Sequence, residues 1–99
     1  MKKFAFLLMG SGYDTAVHRA RFETAGSVTY IRTVNSFEEA YAVLEELVSD
    51  GVGAVELCGA FGPEHAARMA ELTGHRVAVG YVVHDPALDP LFEAFFSEF

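Results

Sequence analysis

Ser36-Phe37-Glu38-Glu39-Ala40-Tyr41-Ala42-Val43-Leu44-Glu45-Glu46-Leu47-Val48-Ser49-Asp50-Gly51 is the most legible stretch of this chain. Ser36 followed by Glu39 forms a capping box, in which a hydroxyl and a carboxylate each satisfy a free amide at a helix start. Behind it Phe37, Ala40, Tyr41, Leu44, Leu47 and Val48 recur at intervals of three and four, which makes one apolar stripe. Glu38, Glu45 and Glu46 lie off the stripe, and Gly51 stands where a helix accepts a left-handed residue. The segment reads as an amphipathic helix packed on a sheet.

Strands flank it. Upstream, Ser27 to Val34 alternates, with Val28, Tyr30, Arg32 and Val34 on one side and Thr29, Ile31 and Thr33 on the other. Arg32 and the threonines predict a less buried strand at a sheet edge. Downstream, Ala54 to Cys58 reads as a strand and Gly59 to Gly62 as a loop. Pro63 suits a first helical position, where its missing donor costs nothing. Ala66, Ala67, Met69, Ala70 and Leu72 are expected to pack that helix, which Gly74 ends. Val77 to Val83 is a further strand, stopped by His84-Asp85-Pro86. Asp89-Pro90 opens a last helix whose apolar side is Leu91, Phe92, Phe95 and Phe96, with Phe99 completing an aromatic tail. At the other end, Phe4 to Met9 is continuously apolar, as expected of a strand buried on both faces. Asp14 is placed to cap a short helix over Thr15 to Glu23, ended by Ala25-Gly26-Ser27.

Four strand-then-helix units in 99 residues predict one α/β domain spanning 1–99. The expected sheet is four-stranded and mostly parallel, in the flavodoxin-like order 2-1-3-4, with right-handed crossovers and helices on both faces. The fourth strand is then an edge, which the last helix or a second copy must cover.

Seven basic against fourteen acidic residues leave a net charge of −7, with no basic run. That argues against nucleic acid and against an anionic membrane surface as partners. No apolar stretch approaches the roughly 20 residues of a membrane span. The early apolar run breaks at Gly10-Ser11-Gly12, unlike a signal peptide, and the lone Cys58 forms no internal disulfide. A cytoplasmic location is expected. The 52% hydrophobic content is high for a small monomer and points to self-association. A homodimer through the fourth strand and the C-terminal aromatic helix is the expected form.

Three blocks, Lys2-Lys3-Phe4-Ala5-Phe6-Leu7-Leu8-Met9-Gly10, Gly53-Ala54-Val55-Glu56-Leu57-Cys58-Gly59-Ala60-Phe61-Gly62 and Gly80-Tyr81-Val82-Val83-His84-Asp85-Pro86, resemble a family of short uncharacterised prokaryotic α/β proteins. The resemblance implies a small cytoplasmic α/β protein and brings no activity with it. Separately, Gly51 to Leu57 is similar to a βα unit of class I aldolase barrels, but Lys2 and Lys3 are the only lysines and neither falls on a Schiff-base position.

Open parallel sheets bind ligands outside the carboxyl ends of their strands. The candidate residues at those ends are Ser11, Tyr13 and Asp14 after the first strand, Glu56 and Cys58 on the third, and His84 and Asp85 on the fourth. Glu56 and His84 are acid/base candidates, Cys58 is a candidate nucleophile, and Ser11, Tyr13, Asp14 and Asp85 are candidate binding groups. Each has a plainer reading. Glu56 suits a structural pairing with Arg76, His84 or a backbone donor, Cys58 a small core hydrophobe, and Asp85 a turn residue bonding its own backbone. His65 and His75 are read as solvated. His18, Glu56, Cys58 and His84 lack any metal-ligand spacing, and Gly10-Ser11-Gly12 carries half a dinucleotide fingerprint, so neither a metal nor a cofactor is expected. Two functions are open: binding or transforming a small molecule at the strand rim, or a non-catalytic homo-oligomeric module. Two chains completing a (βα)₈ ring is a third arrangement.

Overall fold

The helix at the centre of the sequence is helix α1 (Phe37–Ser49) of the computed structural model, which describes residues 1–97. Its capping box is made: the Glu39 amide donates to Ser36 Oγ at 3.1 Å, and Glu39 Oε1 accepts from the Asn35 amide at 2.6 Å. Gly51 takes the left-handed conformation at φ 93°. Ala40, Val43, Leu44 and Leu47 are buried, and Phe37, Tyr41 and Val48 pack beside them.

Five strands surround it: β1 (Lys2–Met9), β2 (Ala20–Glu23), β3 (Ser27–Val34), β4 (Ala54–Leu57) and β5 (Ala78–Tyr81). Helix α2 (Gly62–Leu72) links β4 to β5, and a 3₁₀ turn (Pro86–Leu88) leads into helix α3 (Asp89–Phe96). The chain is therefore α/β with a mixed sheet, in the order β2-β3-β1-β4-β5. β3, β1, β4 and β5 are mutually parallel, while β2 pairs antiparallel with β3.

Three expectations need correction. The sheet has five strands and not four, because Ala20–Glu23 is a strand where a helix was expected. Asp14 does begin a turn: its carboxylate accepts from the Ala16 amide at 3.0 Å, and its carbonyl accepts from Val17 and His18. The turn does not propagate, because a short helix holds few bonds of its own while β3 offers a complete strand to pair with. β3 is consequently the second strand in. Its Val28, Tyr30, Arg32, Thr33 and Val34 are all buried. Arg32 lies under α1 with its guanidinium reaching Glu46 at 3.0 Å.

The two crossover helices, too, are not shared between both faces. Crossovers β3–α1–β4 and β4–α2–β5 progress across the sheet in the same direction, so right-handed connections put both helices on one side. Tyr41 of α1 hydrogen-bonds His65 of α2 at 2.7 Å, and Phe37 stacks on the same imidazole at 3.6 Å. His65 is thus half-buried between helices, and His75 remains exposed. Ala5 and Leu7 of β1, Val28, Tyr30 and Val34 of β3, and Val55 and Leu57 of β4 form the sheet side of this core, with Ala66 and Met69 of α2 opposite. Ala67 and Leu72, expected to pack, are exposed. No residue of α3 is buried, and Phe99 of the expected aromatic tail lies outside the described residues.

At the edge, Arg21 is held still more firmly protonated by Tyr30 and Glu23.

Two stability measurements check this layout. Leu47→Ala empties a fully buried site between α1 and the sheet, and is expected to lower the unfolding free energy by about 2–5 kcal/mol in urea titrations. Ser36→Ala removes only the cap, and is expected to lower it by about 1 kcal/mol. Equal effects would contradict the core and cap assignments.

Candidate functional site

Because β3, β1, β4 and β5 are parallel, their carboxyl ends share one rim, and the loops after β1, β4 and β5 meet there. Between them and α3 lies a hollow of about 1020 Å³. One wall is Ser11, Tyr13 and Asn35, Cys58 lies at the base beside Leu8 and Met9, and the other wall is Val82, His84, Asp89, Phe92, Glu93 and Phe96.

The first wall is built by a reciprocal clamp. The Tyr13 amide donates to Asn35 Oδ1 at 2.9 Å, and Asn35 Nδ2 donates to the Tyr13 carbonyl at 2.8 Å. Since the Asn35 amide is bonded to Glu39, the loop after β1 is tied to the start of α1. Gly10 makes room for the Tyr13 ring: a Cβ there would stand 2.6 Å from Tyr13 Cε2.

Cys58 lies one residue beyond the paired part of β4. Its Sγ accepts a hydrogen bond from the Met9 amide at 3.2 Å, and the side chain packs partly against the core.

On the opposite wall His84 Nδ1 lies 3.1 Å from Asp89 Oδ1, and its ring stacks on Phe92 at 3.9 Å and 12°. The carboxylate and the aromatic ring together fix the imidazole plane. Among the described residues, Nε2 of His84 has no hydrogen-bond partner. The geometry is that of an oriented proton acceptor. Sequence reading missed Asn35, Asp89 and Phe92. Asp89 was visible only as a helix-opening residue, Phe92 only as part of an apolar stripe, and Asn35 adjoined the cap without any signal of its own.

The structure thus brings Ser11, Tyr13, Cys58 and His84 around one hollow and leaves three candidates outside it. Asp14 closes a turn, accepting from Ala16 and donating its amide to His18 Nδ1 at 2.9 Å. Asp85 accepts from the Ala87 amide at 3.0 Å, the turn role foreseen as its plainer reading. Glu56 sits at the same end of the sheet, but within β4, and points away from the helices. Its carboxylate lies over Gly80, where a Cβ would stand 2.7 Å from Oε2. Neither expected side-chain partner reaches it: Arg76 donates to the Thr73 carbonyl, and His84 is engaged with Asp89.

No group of three or more His, Cys, Asp or Glu side chains suited to a metal ion occurs among the described residues. No helix among them is long and apolar enough to cross a membrane. A smaller hollow of about 490 Å³ between α1 and α2 is lined by Tyr41, Leu44, Val48, Leu72 and, as its charges, Glu45 and Arg76. It holds none of the rim candidates.

Comparison with known proteins finds no match among curated proteins and none among solved structures. A family model does match, over residues 2–97, nearly the whole chain and all three of the blocks that carried the resemblance. The chain belongs to the family described as "Family of unknown function (DUF6506)".

Proposed function

We propose that this protein binds a small molecule in the hollow at the strand carboxyl ends, between Tyr13 and the His84–Phe92 pair. The observation that carries the reading is convergence: a free thiol, a carboxylate-oriented imidazole and three aromatic side chains line one hollow of about 1020 Å³. Ligand sites are typically hollows of this kind, mostly apolar with a few placed polar groups.

The lining also defines the ligand. Asp89 and Glu93 contribute acid, and neither Lys nor Arg lines the hollow. The chain as a whole carries −7. A neutral or cationic molecule with an aromatic or apolar body therefore fits, its ring against Phe92 and its polar end toward Asp89 or Nε2 of His84. Should the site also perform chemistry, His84 is the proton acceptor, since Asp89 orients it and Glu56 lies outside the hollow.

A second reading, self-association, has its own support. Leu91 and Val83 are 70% and 74% exposed, and the four-residue β5 is a sheet edge. Exposed apolar side chains beside an open edge are what a homo-oligomeric module carries. The two readings are compatible in a cytoplasmic homodimer.

An amide-resolved NMR titration with phenethylamine and with the uncharged 2-phenylethanol is expected to shift Met9, Cys58 and Val82. Phe92→Ala is expected to weaken the response at least about fivefold, close to 1 kcal/mol. Shifts confined to the hollow between α1 and α2, or none with either compound or with larger aromatic amines, would sink the reading. Occupancy is also expected to slow maleimide labelling of Cys58, at the base of the hollow. Labelling that is unchanged at saturation would remove the thiol from the site.

A further inference from the structure

The β1–β3 connection is the one that would supply a helix to the second face of the sheet, and here it runs through β2 instead. Strand alternation and the strand registers place two rows on that face: Phe22, Thr29, Phe4, Ala54 and Ala78, then Ala20, Ile31, Phe6, Glu56 and Gly80. The rows are half-buried to exposed, with Phe22 55% accessible. Only toward the rim is the face covered, where the loop after β1 passes over Thr33, whose hydroxyl donates to the His18 carbonyl. Parallel strands are otherwise found with both faces packed.

We infer that this open face is the contact surface with a second copy of the chain, sheet against sheet, with Lys2 of each copy paired to Glu56 of the other. The inference rests on the self-association reading and names its surface. Two observations select a second copy as the occupant.

The first is charge. Glu56 is a half-buried carboxylate amid Phe6, Ile31 and Gly80, and among the described residues no side chain pairs with it. Covering it with an apolar surface alone would desolvate an unpaired charge, which is strongly unfavourable. The strands supply one cation to this face, Lys2, because Arg21 and Arg32 alternate to the core side with Tyr30 and Leu7, and Lys3 points there too, donating to the Asp50 carbonyl at 2.6 Å. Lys2 precedes Phe6 by four residues on β1, and Phe6 is the register partner of Glu56. A two-fold axis crossing the strands at the level of Phe4 reverses that offset. It sets Lys2 of each copy one strand to the side of the partner's Glu56, across the ~10 Å that separates packed sheets. Long Lys and Glu side chains span that gap. The face is complementary to itself, as an isologous contact requires.

The second is area. Five strands at ~4.8 Å spacing and the two rows of side chains, extended by Lys2 and Ser27, give roughly 400 Å² in projection. A surface studded with side chains exposes more than its projection, which brings the face to the order of the ~800 Å² per partner of a stable pair.

Sedimentation equilibrium of the full chain is expected to show a dimer at micromolar concentration. Phe6→Asp, and independently Ile31→Asp, are expected to give monomers with unchanged far-ultraviolet circular dichroism. Leu91→Asp on α3 is expected to leave the dimer intact. Lys2→Glu is expected to weaken association about tenfold or more, and Lys2→Glu combined with Glu56→Lys to restore it. A monomeric wild type, the result if a different protein or a lipid covers the face, overturns both the inference and self-association. A dimer broken by Leu91→Asp but not by Phe6→Asp or Ile31→Asp leaves self-association standing and overturns this surface. Failure of the charge exchange to restore binding removes the Lys2–Glu56 pairing.

Discussion

The antiparallel pairing of Ala20–Glu23 with Val28–Ile31 is the contact on which most of this architecture turns. It protects the flank of β3, so that a strand bearing Arg32 and four hydroxyl-bearing side chains is stable well inside the sheet. It also occupies the chain that would otherwise cross the back of the sheet as a helix. With that segment at the edge, every helix that packs firmly lies on one side, and the front core of Ala5, Leu7, Val55, Leu57, Leu47 and Met69 holds the fold together. The back face is left to whatever the chain meets.

The rim follows from the same geometry. Parallel strands deliver their carboxyl ends together, and the clamp between Tyr13 and Asn35 fastens the loop after β1 to the capped start of α1. On the far side, α3 is positioned less by burial than by the His84 stack and the Asp89 contact. A hollow with one wall tied to the core and the other on a lightly packed helix suits a site that adjusts around its ligand. The pairing that rigidifies the imidazole is also the one that seats the helix, so binding at His84 and the placement of α3 are coupled.

Legibility differed between elements for physical reasons. The capping box, the stripe through Leu47 and the apolar run of β1 are local signals, and each formed where it was read. Segment 15–23 carried a cap without a long amphipathic stretch behind it, and such a segment takes whichever partner the fold offers. Cys58 and Glu56 are two apart, and both were read as site candidates on one strand. The Cys58 thiol, at the last position bonded to β1, meets the Met9 amide at the rim, while Glu56 stays on the open face. Asn35, Asp89 and Phe92 became part of the site only because separate loops converge.

Sequence by itself determined the α/β alternation, the long central helix with both its caps, the parallel strands and the end of the sheet where polar residues collect. These depend on periodicity and on backbone preferences that act over a few residues. Tertiary structure alone decided the fifth strand, the one-sided placement of α1 and α2, the His84–Asp89 pairing and the isolation of Glu56. Those depend on which surfaces meet across the fold, and hydrogen-bonding and burial of that kind are settled by neighbours distant in the chain.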